Sequence, residues 1–287
     1  MTTATVDDIV AGRAFADLSS RRKILLSGTE ARGWLHDLLT ADVAGLAEGR
    51  SSVALLLTPT GRIRAVVTVA VIGDGFLLVQ DETQPDPIEA LLDRYVLSSD
   101  VRLRDVTEEH ALLALSSGDP APTWSPSSLT WPGDLLLPAG EAGAARRDLA
   151  ARGLIEAAPQ TVDEWRIAAG LARFPADLTP SSLPHEAAFE DAIDYEKGCY
   201  LGQEAVVRVR NLGHPPWVLR ALTAPVPAAV GDTIHGDGAE AGVVTSAAPG
   251  PERTALIARV RWDHRAGALA LASGAALTPG PSARGSA

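Results

Sequence analysis

Three apolar runs, "SVALLLTP", "RAVVTVAVI" and "GFLLVQ", follow one another with the turn residues Pro59-Thr60-Gly61 and Gly73-Asp74-Gly75 at their junctions. Runs of this length, rich in Val, Ile and Leu, read as strands. The intervening Gly and Pro residues make reversals too short for any crossover, so the strands must be antiparallel neighbours. A meander of this kind buries one face only if something covers it, and the flanking sequence supplies helices. "TEARGWLHDLLT" sets Trp34, Leu35, Leu38 and Leu39 on one helical face with Thr29 as N-cap. "PIEALLDRYVL" does the same with Ile88, Leu91, Leu92 and Tyr95, and places proline in the first turn. "KILLS", "VRLRDV" and "ALLALS" read as further strands, which makes the class α+β.

Beyond residue 115 the text changes. "SSGDPAPTWSPSSLTWPGD" (116–134) is dense in Pro, Ser and Gly and reads as a long loop or a seam between lobes. "TVDEWRIAAG" has the form of a capping box, with Thr161 as cap, Glu164 reaching back and Gly170 at the C-terminal αL position. Residues 171–203 show weak periodicity and several prolines, which in a compact protein marks a binding surface. From Trp217 onward, short strands between Pro/Gly/Asp turns predict a small β-barrel, and "TPGPSARGSA" reads as a disordered tail. The expected division is 1–115, 116–214, 215–274 and a tail of 275–287. Trp34 and Trp165 fall on helix faces as core residues, while Trp217 opens a barrel strand beside a possible ligand cleft.

With 287 residues, 46% apolar and 21% charged, the chain has enough material for about two domains with a sizeable core. The net charge of −11, with arginines scattered among acids, gives phosphate backbones no broad attractive field, so direct nucleic-acid binding is not expected. Asp7 and Asp8 stand where a secretory signal would carry cations, and no apolar run approaches the roughly 18 residues that span a bilayer. A cytoplasmic protein without membrane contact is the expectation. One cysteine permits neither an internal disulfide nor a Cys-rich zinc site, and the six histidines show no ligand spacing.

That cysteine stands in "DYEKGCYLGQEAVVRVRN" (194–211), two residues after one of only two lysines, with Gly198 and Gly202 nearby. A thiol beside a cation, flanked by glycines that let amides approach, is set up to ionise readily. The alternative is a small buried hydrophobe beside a solvated lysine. "VVRVR" reads as a strand with Arg208 and Arg210 on one face.

Lys197-Gly198-Cys199-Tyr200-Leu201-Gly202-Gln203-Glu204, followed by Arg208, resembles the signature of the YgfZ-type folate-binding proteins, relatives of the glycine-cleavage T-protein. The resemblance runs through "RIAAGLARFPADLTPSSLPHEA", "SGTEARGWLHDLLTADVAGL", "LLTPTGRIRA", "VGDTI" and "AGVVTSAA", and is weakest over 116–150. It implies a multi-lobed, T-protein-like fold with antiparallel sheets and a C-terminal β-barrel, binding tetrahydrofolate or a one-carbon derivative in a central cleft. It also implies a role in assembling or repairing iron–sulfur clusters in client proteins, including enzymes that modify tRNA.

By the same resemblance Glu186 grips the pterin, whose amino group and ring N–H suit one bidentate carboxylate. Arg208 and Arg220 take the anionic glutamate tail, Gln203 and Glu204 belong to the cofactor-binding motif, and Cys199 is the functional thiol with Lys197 as its partner. One departure matters. T-proteins carry Gly-Gly-x-x-Asp-Asp where this chain reads Gly61-Arg62-Ile63-Arg64-Ala65-Val66, and valine holds no proton at a developing iminium. A folate-dependent aminomethyltransferase and a non-catalytic adaptor stand as the alternatives.

Overall fold

The computed structural model of the chain describes residues 3–187 and 189–281. They form two compact units. The first takes in residues up to 57, then 64–162 and 192–201. Its elements in chain order are α1 (Val6–Val10), β1 (Ala14–Asp17), β2 (Arg22–Ser27), α2 (Ala31–Leu38), β3 (Ser51–Leu57), β4 (Ile63–Ile72), β5 (Gly75–Gln80), α3 (Ile88–Asp93), β6 (Arg102–Asp105), β7 (His110–Leu115), β8 (Gly133–Pro138), α4 (Ala142–Ala151) and β9 (Ile155–Ala157). The first residue of β4 lies with the second unit.

The meander is present and extended to a five-stranded sheet in the order β3-β4-β5-β2-β6. Val69 of β4 faces Leu78 of β5, and Leu77 faces Leu25 of β2. Alternate residues Ile24, Leu26, Val67, Val69, Val71, Phe76 and Leu78 form one buried cluster with Leu35, Leu38 and Leu39 of the α2 end and with Ile88, Leu91 and Leu92 of α3. The period of two on the strands and of three to four on the helices thus meet in a single core. The β5 strand is buried along its whole length, which is why it reads as a continuous apolar run.

The α2 helix starts at Ala31 because both the hydroxyl and the N–H of Thr29 donate to Asp100, which takes the expected cap away from the helix. Gly28, just before it, sits at φ +124°, and a Cβ there would lie 2.0 Å from the Asp100 carbonyl oxygen, so only glycine lets the chain pass.

A second sheet of the same unit runs β8-β7-β1-β9. Here β1 and β9 are parallel, with Ala14 opposite Ile155, an exception to the antiparallel expectation. The 116–134 stretch is a packed loop rather than an open seam. It buries Trp124, Trp131 and Asp134, and Ser128 N–H donates to the Asp134 carboxylate. Complete burial pushes that carboxyl up to about 6.

The second unit comprises 58–63, 163–191 and the chain from 202. It contains α5 (Pro159–Ala168) from Asp163 onward, then α6 (Gln203–Leu212) and six strands: β10 (Trp217–Ala224), β11 (Thr233–Gly236), β12 (Ala239–Pro249), β13 (Thr254–Arg261), β14 (Leu269–Leu271) and β15 (Ala276–Pro279). These strands close into the expected barrel, in the order β10-β13-β12-β11-β14-β15. The α5 helix begins two residues before Thr161, so the capping box falls inside the helix, while Gly170 takes the expected positive φ of +72° past its end. The last strand, β15, lies within the stretch read as tail and pairs with both β10 and β14. The remainder of that stretch, from 282, is outside the described residues. No helix among the described residues is long and apolar enough to cross a membrane.

Candidate functional site

Lys197 is an anchor. Its Nζ donates to the carbonyl oxygens of His36 (2.5 Å), Leu39 (2.7 Å) and Ala41 (2.9 Å). These carbonyls lie at and just beyond the C-terminal end of α2, where a helix leaves acceptors unpaired and carries partial negative charge. The backbone completes the attachment: Asp194 N–H donates to Thr40 O, Leu201 N–H donates to Asp37 O, and Thr40 Oγ1 donates to Ala192 O. All three ammonium hydrogens are thereby used. Lys197 can therefore act on the Cys199 sulfur through its charge but not as a hydrogen-bond donor.

Burial pushes the Lys197 ammonium down to about 8, partly offset by Asp42, Asp194 and Asp37. Lys23, the other lysine of the chain, is fully buried, donates to Ser19 O and Arg21 O, and is also lowered to about 8 by burial. Since the folded state binds these protons less tightly than the unfolded chain, whose lysines titrate near 10.5, their contribution to stability is lost as pH falls through 8 and gained as pH rises toward 10.5. The unfolding free energy of the native chain is therefore expected to gain on that of a Lys23→Met variant between pH 8 and 10, by at most about 1.4 kcal/mol per pH unit. Urea denaturation at stepped pH reads this directly, and a flat difference would show that the ammonium is solvated.

Cys199 is exposed, between the anchored Lys197 and Tyr200, whose side chain is buried. The Lys197 Nζ lies 5.5 Å from the Tyr200 ring centroid, and the Tyr200 hydroxyl, raised to about 12 by burial, is buried without a hydrogen-bond partner among the described residues. Leu201 packs against the sheet core. The thiol is thus presented to solvent from a short loop held down on both sides. The sequence reading gave Gly198 the task of admitting amides to the sulfur. A Cβ at Gly198 would meet nothing within 4 Å, so that glycine leaves open space instead. Gly202 does have a backbone reason: it sits at φ +85° as the N-cap of α6.

From Gly202 the motif belongs to the second unit. "VVRVR" is helical rather than a strand, part of α6, so Arg208 and Arg210 do not share a face. Alternating apolar residues suggested period two. Only Val206 of this helix is buried, so the apolar pattern that would distinguish a helix is almost absent. Gln203 opens the helix, and Arg208 Nη2 donates to Glu204 at 2.8 Å in an i,i+4 pair with both side chains largely in solvent.

Glu186 ends a single 3₁₀ turn and is 2% exposed. One carboxylate oxygen accepts from Leu183 N–H (3.2 Å), the other from Arg259 Nη2 (3.2 Å). Arg259 in turn lies 4.7 Å from the Trp217 ring centroid. The β10–β13 register puts Leu219 opposite Arg259 and Trp217 opposite Arg261, so these four share one face of the barrel wall. Arg220 stands opposite Ala258, on the other face, with the barrel-core residues Val218 and Leu222. Arg259 stands beside the Glu186 carboxylate, a contact invisible in sequence because 73 residues separate the partners.

The 61–66 segment carries no acid. Arg62 donates to Ser181 O, Arg64 pairs with Asp86 at 2.8 Å, and the Val66 main chain is clasped at both its N–H and its carbonyl by the Gln84 side chain. Of the nearby acids, Asp81 caps a turn through Thr83 and faces Arg21, and Asp42 accepts from Gly45 N–H and lies 3.4 Å from His36. No group of three His, Cys, Asp or Glu among the described residues is placed to hold a metal ion.

Residues 3–119 match the family model of the GCVT N-terminal domain. An iron–sulfur cluster assembly factor IBA57 homolog, mitochondrial, of Cryptococcus neoformans var. neoformans serotype D is 29% identical over 254 residues, covering 71% of this chain and 64% of that protein. A protein of Rubrobacter xylanophilus named aminomethyltransferase is 28% identical over 270 residues, covering 82% and 72%. The chain spans about half to two thirds of the length of the curated IBA57 relatives it matches. Among solved structures, the glycine cleavage system aminomethyltransferase T of Bartonella henselae superposes with a TM-score of 0.79 at 20% identity, over 96% of this chain and 88% of that one. The chain thus has the α+β fold of that aminomethyltransferase T, matches the GCVT N-terminal domain over residues 3–119, and has distant homologues named both as IBA57 assembly factors and as an aminomethyltransferase.

Proposed function

We propose that this protein supports the assembly or repair of iron–sulfur clusters in client enzymes, tRNA-modifying ones among them, with Cys199 as its functional thiol and a tetrahydrofolate held through Glu186. The observation that carries the reading is the presentation of Cys199: an exposed sulfur on a loop anchored by Lys197 and by buried Tyr200. A solvated loop would leave a thiol's position to chance, whereas this one is set by buried neighbours, as transient ligation or adduct formation requires. The printed names of the IBA57 relatives supply the iron–sulfur part of the reading. An aminomethyl-transfer function is disfavoured by the 61–66 segment, where Val66 stands and the charged side chains are arginines already engaged.

For the folate, the donor and acceptor chemistry fits. The Glu186 carboxylate accepts one hydrogen bond on each oxygen, which leaves a second lone-pair direction on each for a side-by-side amino group and ring N–H. Arg259, stacked on Trp217, holds that carboxylate in place. Gln203 and Glu204 in the first turn of α6, with Arg208 one turn further on, complete the proposed cofactor set.

The test is complementation of a deletion strain, scored by the activity of an iron–sulfur enzyme. The wild-type gene restores activity and Cys199→Ser does not. Full rescue by the serine variant removes the thiol from the mechanism and leaves an adaptor. Calorimetry with tetrahydrofolate addresses the cofactor separately: Glu186→Gln, which keeps the shape but not the paired acceptors, is expected to weaken binding by about 1.5–3 kcal/mol.

A further inference from the structure

Resting on the reading of Cys199 as the working thiol, we propose that Thr40 is its positioning residue: one buried hydroxyl fastens the Cys199 loop to the edge strand β3, so that the five-stranded sheet sets where the sulfur stands. Thr40 is fully buried just past the end of α2. The chain leaves that helix extended, with Leu39 at ψ 155° and bridged antiparallel to Leu56 of β3. Thr40 then bonds in two directions. Toward β3, its N–H donates to Leu55 O (3.1 Å) and its Oγ1 accepts from Leu55 N–H (2.9 Å). Toward the loop, the same Oγ1 donates to Ala192 O (2.6 Å), and the Thr40 carbonyl accepts from Asp194 N–H (2.9 Å). The carbonyls on either side, of Leu39 and Ala41, accept from Lys197 Nζ, so three consecutive main-chain oxygens serve the same loop. From Asp194 a local turn carries the chain onward, its carboxylate accepting from the N–H groups of Glu196 (2.7 Å) and Lys197 (3.0 Å). Cys199 follows two residues later.

The hydroxyl is what the junction requires. β3 is the outer strand of the order β3-β4-β5-β2-β6, and residues 39–41 lie along its outer side. A sixth strand would meet the Leu55 N–H with a main-chain carbonyl. Here a side-chain oxygen meets it, and that oxygen's own proton goes on to Ala192. A hydroxyl accepts and donates from one atom, so it can join two backbone segments that are not paired with each other. Valine has the same shape and would suit apolar neighbours such as Leu39, Ala41 and Leu56, but it would leave the Leu55 amide and the Ala192 carbonyl without these partners. Lys197 fastens the loop to the end of a helix, whereas Thr40 refers it to a strand of the buried sheet. Groups fixed on strands are placed more exactly than groups left to loops.

In the intact chain the single cysteine takes a nitroxide at position 199, whose mobility is read by electron paramagnetic resonance. Thr40→Val is expected to cut the label's correlation time to about half and to quicken exchange of the Leu55 and Asp194 amides about tenfold. Thr40→Ser, which restores the hydroxyl, should match the native chain. Thr68→Val, another buried threonine, on β4, should leave the label unchanged. An unaltered label in Thr40→Val overturns the proposal, as does equal loosening by Thr68→Val. Should Thr40→Val not fold, the native chain decides: Leu55 and Asp194 amides that open together, within about threefold, support the junction, and Asp194 opening more than about tenfold faster overturns it. Complementation separates this from the reading beneath it. Where Cys199→Ser fails to restore the iron–sulfur enzyme, Thr40→Val should fail and Thr40→Ser succeed, and full rescue by Thr40→Val overturns the positioning role. Rescue by Cys199→Ser removes the thiol reading instead, and the label's mobility still decides whether Thr40 holds the loop.

Discussion

Asp177→Ala is expected to destabilise the second unit by about 3–5 kcal/mol, a large share of what holds a domain of this size together. The carboxylate is completely buried and every near lone pair is used. One oxygen accepts from Thr245 Oγ1 (2.6 Å) and Ser246 Oγ (2.7 Å), the other from Arg166 Nη1 (2.8 Å) and Arg173 N–H (2.9 Å). Arg166 is itself buried, and donates further to Asp163, Leu171 O and Ser246. Deleting the acid leaves a guanidinium, two hydroxyls and an amide in a space that water cannot readily enter, and the buried cation, left with only Asp163 as counter-charge, dominates the cost. The network joins the α5 end, the 171–177 turn and β12, so its loss is expected to loosen barrel and helix together. Urea denaturation followed by circular dichroism measures it. Asp177→Asn, which keeps the volume and some acceptors, should fall between wild type and alanine, and a loss under about 1 kcal/mol for alanine would mean that solvent reaches the site.

Lys197→Met carries the second large effect, about 2–4 kcal/mol in the first unit, because three carbonyls at the end of α2 lose a charge-assisted donor at once. Arginine should not restore it. A tetrahedral ammonium can point three hydrogens at three converging oxygens, whereas a planar guanidinium is larger and spreads its donors in one plane. The amides of Asp194 and Leu201, which donate to Thr40 O and Asp37 O, report the consequence for the thiol loop. Their hydrogen exchange should quicken in the variant, and alkylation of Cys199 should become insensitive to the state of α2. Unchanged exchange would show that the backbone bonds alone hold the loop and that Lys197 is dispensable.

Much of this architecture could be read in advance where one periodicity dominated. The β3–β5 meander and the barrel strands announced themselves through alternation and turn residues, and the α2 and α3 helices through apolar residues spaced three and four apart. The failures have specific physical sources. The α6 helix buries only Val206, so its one-sided contact leaves almost no stripe, and "VVRVR" mimics a strand. In α4 the only buried residue is Leu149, which hides a helix among alanines and arginines. Thr29 was a sound cap in isolation, and a tertiary acceptor, Asp100, claimed it.

For the candidate site, the positions of Cys199 and Glu186 were suggested by the motif and its resemblance. Their partners were not, since Lys197 turned to carbonyls some 160 residues away and Arg259 reached Glu186 from a distant strand. Long-range partners of polar side chains leave no periodic trace, and that is where sequence reading stops.

The disposition of the two lysines also decides how this protein meets chemistry from outside. Both ammonium groups face inward onto main-chain oxygens, so acylating reagents and enzymes that tag ε-amines find no freely offered lysine on the native molecule. Appearance of acyl label at Lys23 would then serve as a clock for global opening, while the lone accessible sulfur accepts a spectroscopic tag at a single address.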